Sequence, residues 1–548
     1  MNRIDSPALK SNNKSSAKSA AKTFGTLLLM MLLVLQLVSI VAAAQPYEKT
    51  NTGIQNVQAS SPITGGATDR TAACVTNAAY NNHRSESWIA VDPTNPSHLV
   101  GLSKFFFDPV FYLFHLGSYV STDAGKSWTN SLIPGFDCQS APSNSWTDTT
   151  DPIVAFDTRG VVFSNVLPFS FIYNPNGNQV FAVIPNDAIF AVRSTDGGNS
   201  WTIANQGQAI ALFNSSGTGI TADKQWMSID TGASSPFKDN IYFGWTVFSG
   251  LGSSEIFFSR STDHGDHFSA PVKVSVASND SPKNTYVFLG SAPDGTLFLA
   301  YTSFPANTFP IADVWILKST DGGATFSAPK KAVSFASFPF ARFPNTSFRD
   351  GISDNFAVSP ANGHLLLALE VFNGNGVDVQ LTESTDGGNS WSTPIFVNDP
   401  STVNDGTDQF QPTVAASPSG TVAVAFYDRR LTCPTNDPDI LPADAGRTNF
   451  CIDTSIQFFS DGVAGLQPIG RNTRVTATSW DPQNPGTNSD GLPHPGGPNG
   501  TNTFIGDYFG LTLTDTTAYP LFVSTANLGQ NPTNDQQQFL GIVSIPSH

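Results

Sequence analysis

The chain has 548 residues, of which only 13% are charged, and it carries 45 Gly and 38 Pro. That composition argues against a helical bundle or coiled coil, which needs charged helix surfaces, and favours a fold with many turns. A net charge of −16, almost all of it from Asp, argues against nucleic acid and anionic membrane as partners.

In chain order, Arg3, Lys10, Lys14, Lys18 and Lys22 precede an uncharged apolar run from Phe24 to Val41, and Ala42-Ala-Ala44 follows it. Residues 1–44 therefore read as a signal peptide or an N-terminal anchor, and the rest as secreted or extracytoplasmic. Residues 45–83 are rich in Ser, Thr, Asn and Ala without periodicity. They read as a flexible lead-in that can supply one short strand.

From residue 84 a strand pair recurs: a polar residue, an apolar strand, a turn and a second apolar strand. Copies begin at Glu86, Asp151, Asp223, Asn284, Asp354, Gln411 and Gly506. A second repeat runs out of phase with it, S-T-D-x-G-x-x-[WF]-[ST]. It starts at Ser121, Ser194, Ser261, Ser319 and Ser384, with a worn copy at Ser460-Asp-Gly462. In such a turn the Ser and Asp side chains hydrogen-bond nearby backbone, and the fifth-position Gly adopts positive φ freely. Two strands from each repeat make four-stranded units, and repetition around a ring predicts an all-β propeller over residues 84–548. Seven strand pairs favour seven blades, with six as the alternative. Residues 431–451 and 479–503 are Pro-, Asn- or Gly-rich insertions expected at the surface. Cys433 and Cys451 flank the first and are expected to bridge it. Cys74 and Cys138 remain, as a second bridge or as free thiols. No Cys/His cluster suggests zinc.

The five turns resemble the Asp-box, or BNR, repeat of the sialidase-like β-propellers. There the box is a structural corner, so no catalytic role attaches to it. The resemblance implies that the heads of the strand pairs and the ends of the second strands share the opposite face, around one cavity. Glu86, Asp151, Asp223, Asp354, Gln411 and Asp507 would border it, together with Glu370, Arg429 and Arg430.

Three readings of that ring stand open: capped strand ends in a wet channel, an oxygen-rich cation site for which calcium is the fitting ion, and a glycan pocket. No other cofactor is expected. Sialidases hold a substrate carboxylate with three Arg and use a Tyr nucleophile, a Glu partner and an Asp acid. The resemblance places Arg84, Arg349 and Arg429 or Arg430 in the clamp, and Asp151 or Asp223 as the acid. Tyr508 or Tyr427 would be the nucleophile, with Glu370 beside it. The family's Arg-Ile-Pro motif is absent; Arg84-Ser-Glu-Ser87 stands nearest. The expected partner is an extracellular glycan or glycoprotein, with exo-hydrolysis of a terminal acidic sugar as the activity and a monomer as the working form. A non-catalytic propeller that binds glycan or protein is the alternative.

Overall fold

The computed structural model describes residues 53–546 apart from 62–82, 109–112, 134–145, 147, 174–178, 214–218, 251, 276–282, 307, 309, 340–341, 347, 353, 439, 463–464, 484–503 and 530–534. The expected leader, Cys74, Cys138 and most of the second insertion lie outside the described residues. Within them the chain is all-β, apart from a 3-10 turn at Asn205–Gly207. No described helix is long and apolar enough to cross a membrane.

Each strand pair read from the sequence forms the first two strands of an antiparallel meander. Four sheets have four strands each. An eight-stranded sheet consists of two meanders joined by one parallel pairing, Ser254 with Lys283. The remaining sheet has a broken first strand, Asp148–Thr150 and Val154–Phe156, and a split outer strand, Thr202–Ile203 and Ala211–Phe213. The sheet that begins at Gly510–Leu513 takes its outer strand from the lead-in: Gln55–Gln58 pairs antiparallel with Gln537–Ser544. Part of residues 45–83 is therefore structural.

The first strands pack side by side in cyclic order. Arg84–Asp92 touches Val154–Phe156, and contact passes on through Ile220–Ile229, Lys283–Ser291, Asp354–Val358 and Gln409–Ala416 to Gly510–Leu513. That last strand returns to Arg84–Asp92. The sheets are covered on both faces, so their second strands read as continuous apolar runs rather than alternating ones. Leu365–Phe372, for example, is buried over its first six residues.

All five box serines are the last residues of third strands. The antiparallel order puts these turns at the edge opposite the heads of the first strands. In the fifth box, Ser384 Oγ donates to Asp386 Oδ1 at 2.9 Å and accepts the Gly388 N–H at 2.9 Å. Asp386 also receives the Ser390 N–H at 2.8 Å and the Ser390 hydroxyl at 2.6 Å. The Ser390 hydroxyl, then its N–H, holds the Asp386 carboxyl down at about 2. The other four boxes repeat the pattern, with His267 taking the hydroxyl's part in the third. Each box glycine leans on the sheet before it. A Cβ on Gly198, at φ 93°, would stand 2.9 Å from Val100 Cγ2, so the joint admits only glycine.

The first insertion is bridged as expected. Cys433 and Cys451 are joined, with Cα atoms 5.3 Å apart, around a small core containing Ile440 and Phe450. Closing that loop stabilises by about 3 kcal/mol in the chain-entropy model. Denaturation with and without reductant should show a loss of that order.

Ser384→Ala removes an acceptor and strands the buried Gly388 N–H. Urea denaturation should show a loss of roughly 1–3 kcal/mol, against a few tenths for an exposed serine.

Candidate functional site

At the heads of five first strands the backbone enters the left-handed region, at Glu86 (φ 49°), Asp151 (55°), Lys224 (54°), Tyr286 (54°) and Gln411 (46°). Four of these positions are register slips in the pairing with the second strand. The fifth, Asp151, sits where its strand breaks. A bulge leaves one residue unpaired and re-aims its side chain. The chain two residues later is back in register and places an apolar group. Trp88 and Trp226 meet edge-on with centroids 4.5 Å apart, Trp226 and Phe288 at 4.7 Å, and Trp226 and Tyr508 at 5.8 Å. Aromatic rings from four meanders thus form a floor beneath a polar ring. At the seventh head stands Gly506 (φ 101°), where a Cβ would lie 2.6 Å from the Glu86 backbone nitrogen.

The ring is crowded with charge. Lys224 Nζ lies 2.5 Å from Asp507 Oδ2 and 4.0 Å from Asp151 Oδ2. Arg349 grips Asp507 with two bonds, Nε to Oδ1 at 2.9 Å and Nη2 to Oδ2 at 2.5 Å. Its side chain stays 53% exposed, so the cluster reaches solvent there. Lys104 Nζ is 3.3 Å from Glu86 Oε2 and sits over the Phe114 ring. Thr150 Oγ1 donates to Asp151 Oδ1 at 2.5 Å, and Gln225 donates to the Asp151 carbonyl at 2.7 Å. To one side, Gln411 links Glu370 to the ring: its N–H donates to Glu370 Oε2 and its Nε2 to the Gly506 carbonyl, both at 2.9 Å. Asp350 lies beside Glu370.

These carboxyls have different affinities for protons. Burial, with the Asp151 charge added, pushes Glu86 up to about 8. Burial also opposes ionisation of Asp151, but Lys224 and Lys104 outweigh it and hold that carboxyl below its ordinary value. Asp507 is held low in the same way, by Lys224 and Arg349 against burial. Burial lifts Asp223 to about 6 and Asp350 to about 7, and lifts Glu370 well above the usual carboxylate range. Burial and the Asp151 and Glu86 charges raise the Tyr508 phenol well above its ordinary value. Glu86 and Asp151 are thus pushed apart in proton affinity while sharing Thr150 Oγ1, at 3.4 and 2.5 Å, an arrangement suited to proton transfer.

Of the residues expected from sequence, Glu86, Asp151, Asp223, Arg349, Asp507 and Tyr508 come together, and Glu370 joins them through Gln411. Four do not. Arg429 is fully buried and pairs with Asp408 at 2.9 Å while also bonding the carbonyls of Pro344 and Asn449, so it anchors loops. Arg430 pairs with Asp399 and Asp428. Arg84 is buried over the Phe105 ring and donates to the Ser61 carbonyl. Asp354 accepts from Thr302 Oγ1 at 2.8 Å in a strand without a bulge. Tyr508 donates to the Pro152 carbonyl at 3.4 Å while Glu370 faces Asp350, so the expected Tyr–Glu pair is not formed. Tyr427 lies in the core, its hydroxyl accepting the Val523 N–H.

Sequence reasoning missed Lys224, Tyr286 and Asp350. A signal for the first two was present. Aligning Glu86-x-Trp88 with Lys224-x-Trp226 and Tyr286-x-Phe288 puts them at the heads, one and two places beyond the polar residues that open those copies.

Arg429→Ala leaves Asp408 buried without its partner. Equilibrium unfolding should show a loss of about 3–5 kcal/mol, with the site otherwise intact.

A family model described as a BNR repeat-like domain matches residues 245–435. No curated protein matches the chain. Solved structures similar to it include a protein of unknown function from Dyadobacter fermentans, 16% identical, covering 74% of this chain and 99% of its own, with a TM-score of 0.41. Another is a Hadza microbial sialidase, 13% identical over 79% of this chain and 73% of its own, TM-score 0.40. A third is an alpha-L-arabinanase from Penicillium chrysogenum complexed with arabinobiose, 12% identical over 68% and 92%, TM-score 0.43. Likenesses this distant carry no chemistry across. By the match over residues 245–435, the family this chain resembles is that of the Asp-box propellers.

Proposed function

We propose that the chain is a secreted, seven-bladed Asp-box propeller that hydrolyses extracellular glycans at the polar ring. Seven meanders whose first strands contact one another in a closed order support the blade count. The observation that carries the reaction is two buried carboxyls that share Thr150 Oγ1, Glu86 beside Lys104 at 3.3 Å and Asp151 beside Lys224 at 4.0 Å, with burial raising the first and the two lysines lowering the second. Glu86 gives its proton to the oxygen of the leaving sugar as the glycosidic C–O bond breaks. Asp151, with Asp223 and Asp507 near it, stabilises the positive charge that develops on the sugar, and the dyad takes back a proton from the attacking water. Arg349, half-exposed at the mouth, and Lys224 suit a substrate with an acidic group. A terminal sialic acid or a related acidic sugar is the substrate that the Asp-box resemblance suggests. Tyr508 lines the floor and donates to the Pro152 carbonyl, next in the chain to Asp151.

The test is release of fluorophore from a panel of sialosides and neutral glycosides. Activity should fall as the pH rises past about 8, because the acid form of Glu86 is then lost. Glu86→Gln should lower kcat by roughly 10²- to 10⁴-fold. It should leave thermal stability unchanged or higher at neutral pH: a carboxyl with a raised pKa favours the fold below its unfolded value and loses that contribution as pH rises through the folded one. Arg349→Ala should raise KM for acidic substrates more than for neutral ones. No turnover by the wild type, with glycan-array binding that Arg349→Ala abolishes, would instead make this a binding propeller.

A further inference from the structure

Away from the polar ring, at the box edge, three potential ligands from two neighbouring meanders converge. His364 lies in the turn between the first two strands of one meander. Glu383 stands just before the box serine of that meander. Asp461 belongs to the worn copy, Ser460-Asp-Gly462, of the next. One atom of each lies within 4.8 Å of the other two.

The arrangement is built rather than incidental. His364 Nδ1 is 2.9 and 3.0 Å from the two Asp461 oxygens. Asn362 fixes both partners, accepting the His364 N–H at 3.0 Å and donating to Asp461 Oδ2 at 2.8 Å. Glu383 is 4% exposed, and its Oε1 accepts the Leu466 N–H at 3.0 Å. Its Oε2 is buried with no hydrogen-bond partner. An orphaned carboxylate oxygen beside a second carboxylate has two ways to be satisfied, a shared proton or a cation. The neighbouring imidazole favours the cation, because its ring nitrogen is a good donor to transition ions. Outer hydrogen bonds from Asn362 and Leu466 are those that orient metal ligands.

We propose that His364, Glu383 and Asp461 bind one divalent transition ion, of the zinc class, which clamps the two meanders together. One nitrogen and two carboxylates suit zinc better than calcium, which takes six to eight oxygens. Zinc ligands at about 2.1 Å sit roughly 3.4 Å apart at tetrahedral angles, so the His364–Asp461 pair at 2.9 Å must open slightly and no pair within 4.8 Å need close by more than about 1.4 Å. The fourth position is left for water. A neutral His364 with its hydrogen on Nε2 would turn the Nδ1 lone pair from Asp461 to the ion. The place of the clamp gives it a purpose. Elsewhere a box turn leans on the preceding meander, whereas here the box is degenerate and the His364–Asp461 contact spans the same joint.

A comparable group, Asp157, Asp239 and His264, serves as the control. There Arg159 holds Asp157 and Thr158 holds Asp239, so the carboxylates are already satisfied. The full chain, stripped with a chelator and dialysed, would be titrated with zinc chloride by calorimetry and followed by thermal unfolding. One saturable site and a raised midpoint are expected. His364→Gln and Asp461→Asn should each weaken binding at least about tenfold, and His264→Gln should not. No saturable binding, or binding that survives His364→Gln, would overturn the proposal. A wild-type readout covers the case of a variant that folds poorly: copper(II) with ascorbate should oxidise His364, and zinc should protect it. Oxidation concentrated instead on His264 and His267 would count against the site.

Discussion

The structure depends on the way one meander is keyed to the next. A serine hydroxyl at the end of five third strands ties an aspartate and a glycine N–H into one small turn. The glycine then presses against the sheet before it, Gly125 on Leu540, Gly198 on Val100 and Gly265 on Phe163. The turn is polar inside and apolar outside, so it satisfies its own backbone while sealing a joint between sheets. A hydrophobic effect alone would let two sheet faces slide; the fixed turn sets their offset.

That offset is what makes the polar ring possible. Five first strands bring a left-handed head residue to that rim, four of them aimed by a bulge. Holding Glu86, Asp151, Lys224, Tyr286 and Gln411 in the left-handed region costs about 1–3 kcal/mol each, and such strain persists only where surrounding packing over-determines it. The aromatic floor of Trp88, Trp226, Phe288 and Tyr508 supplies that packing directly beneath. In three meanders the strained residue and its bracing ring stand two places apart in sequence: Glu86 with Trp88, Lys224 with Trp226 and Tyr286 with Phe288.

This explains what could be read from the sequence and what could not. The boxes were legible because a turn that satisfies itself needs its residues close together: Ser384, Asp386, Gly388 and Ser390 lie within seven positions. The strand pairs were legible as apolar runs, and the Cys433–Cys451 bridge as the staple of one insertion. The site was legible only as a set of candidates. Asp223 drew attention as a carboxylate, but the bulge hands its place to Lys224, and register slips leave no compositional mark. Arg429 and Arg430 looked like anion binders because nothing nearby in sequence announces Asp408 or Asp399 as their partners. Arg349 finds Asp507 across 158 positions, a meeting that only the closed order of the sheets brings about.

The sheet that carries Asp507 and Tyr508 shortly before its first strand is also the one that borrows its outer strand from the lead-in, with Gln55 opposite Ile542. Without Gln55–Gln58, Gln537–Ser544 would present an open outer edge, so one sheet is completed by segments from opposite ends of the described chain. The seam beside it has bonds of its own, the Arg84 N–H on the Gln536 carbonyl and Ser87 Oγ on the Leu521 carbonyl, and it is this seam that brings Asp507 and Glu86 onto one rim.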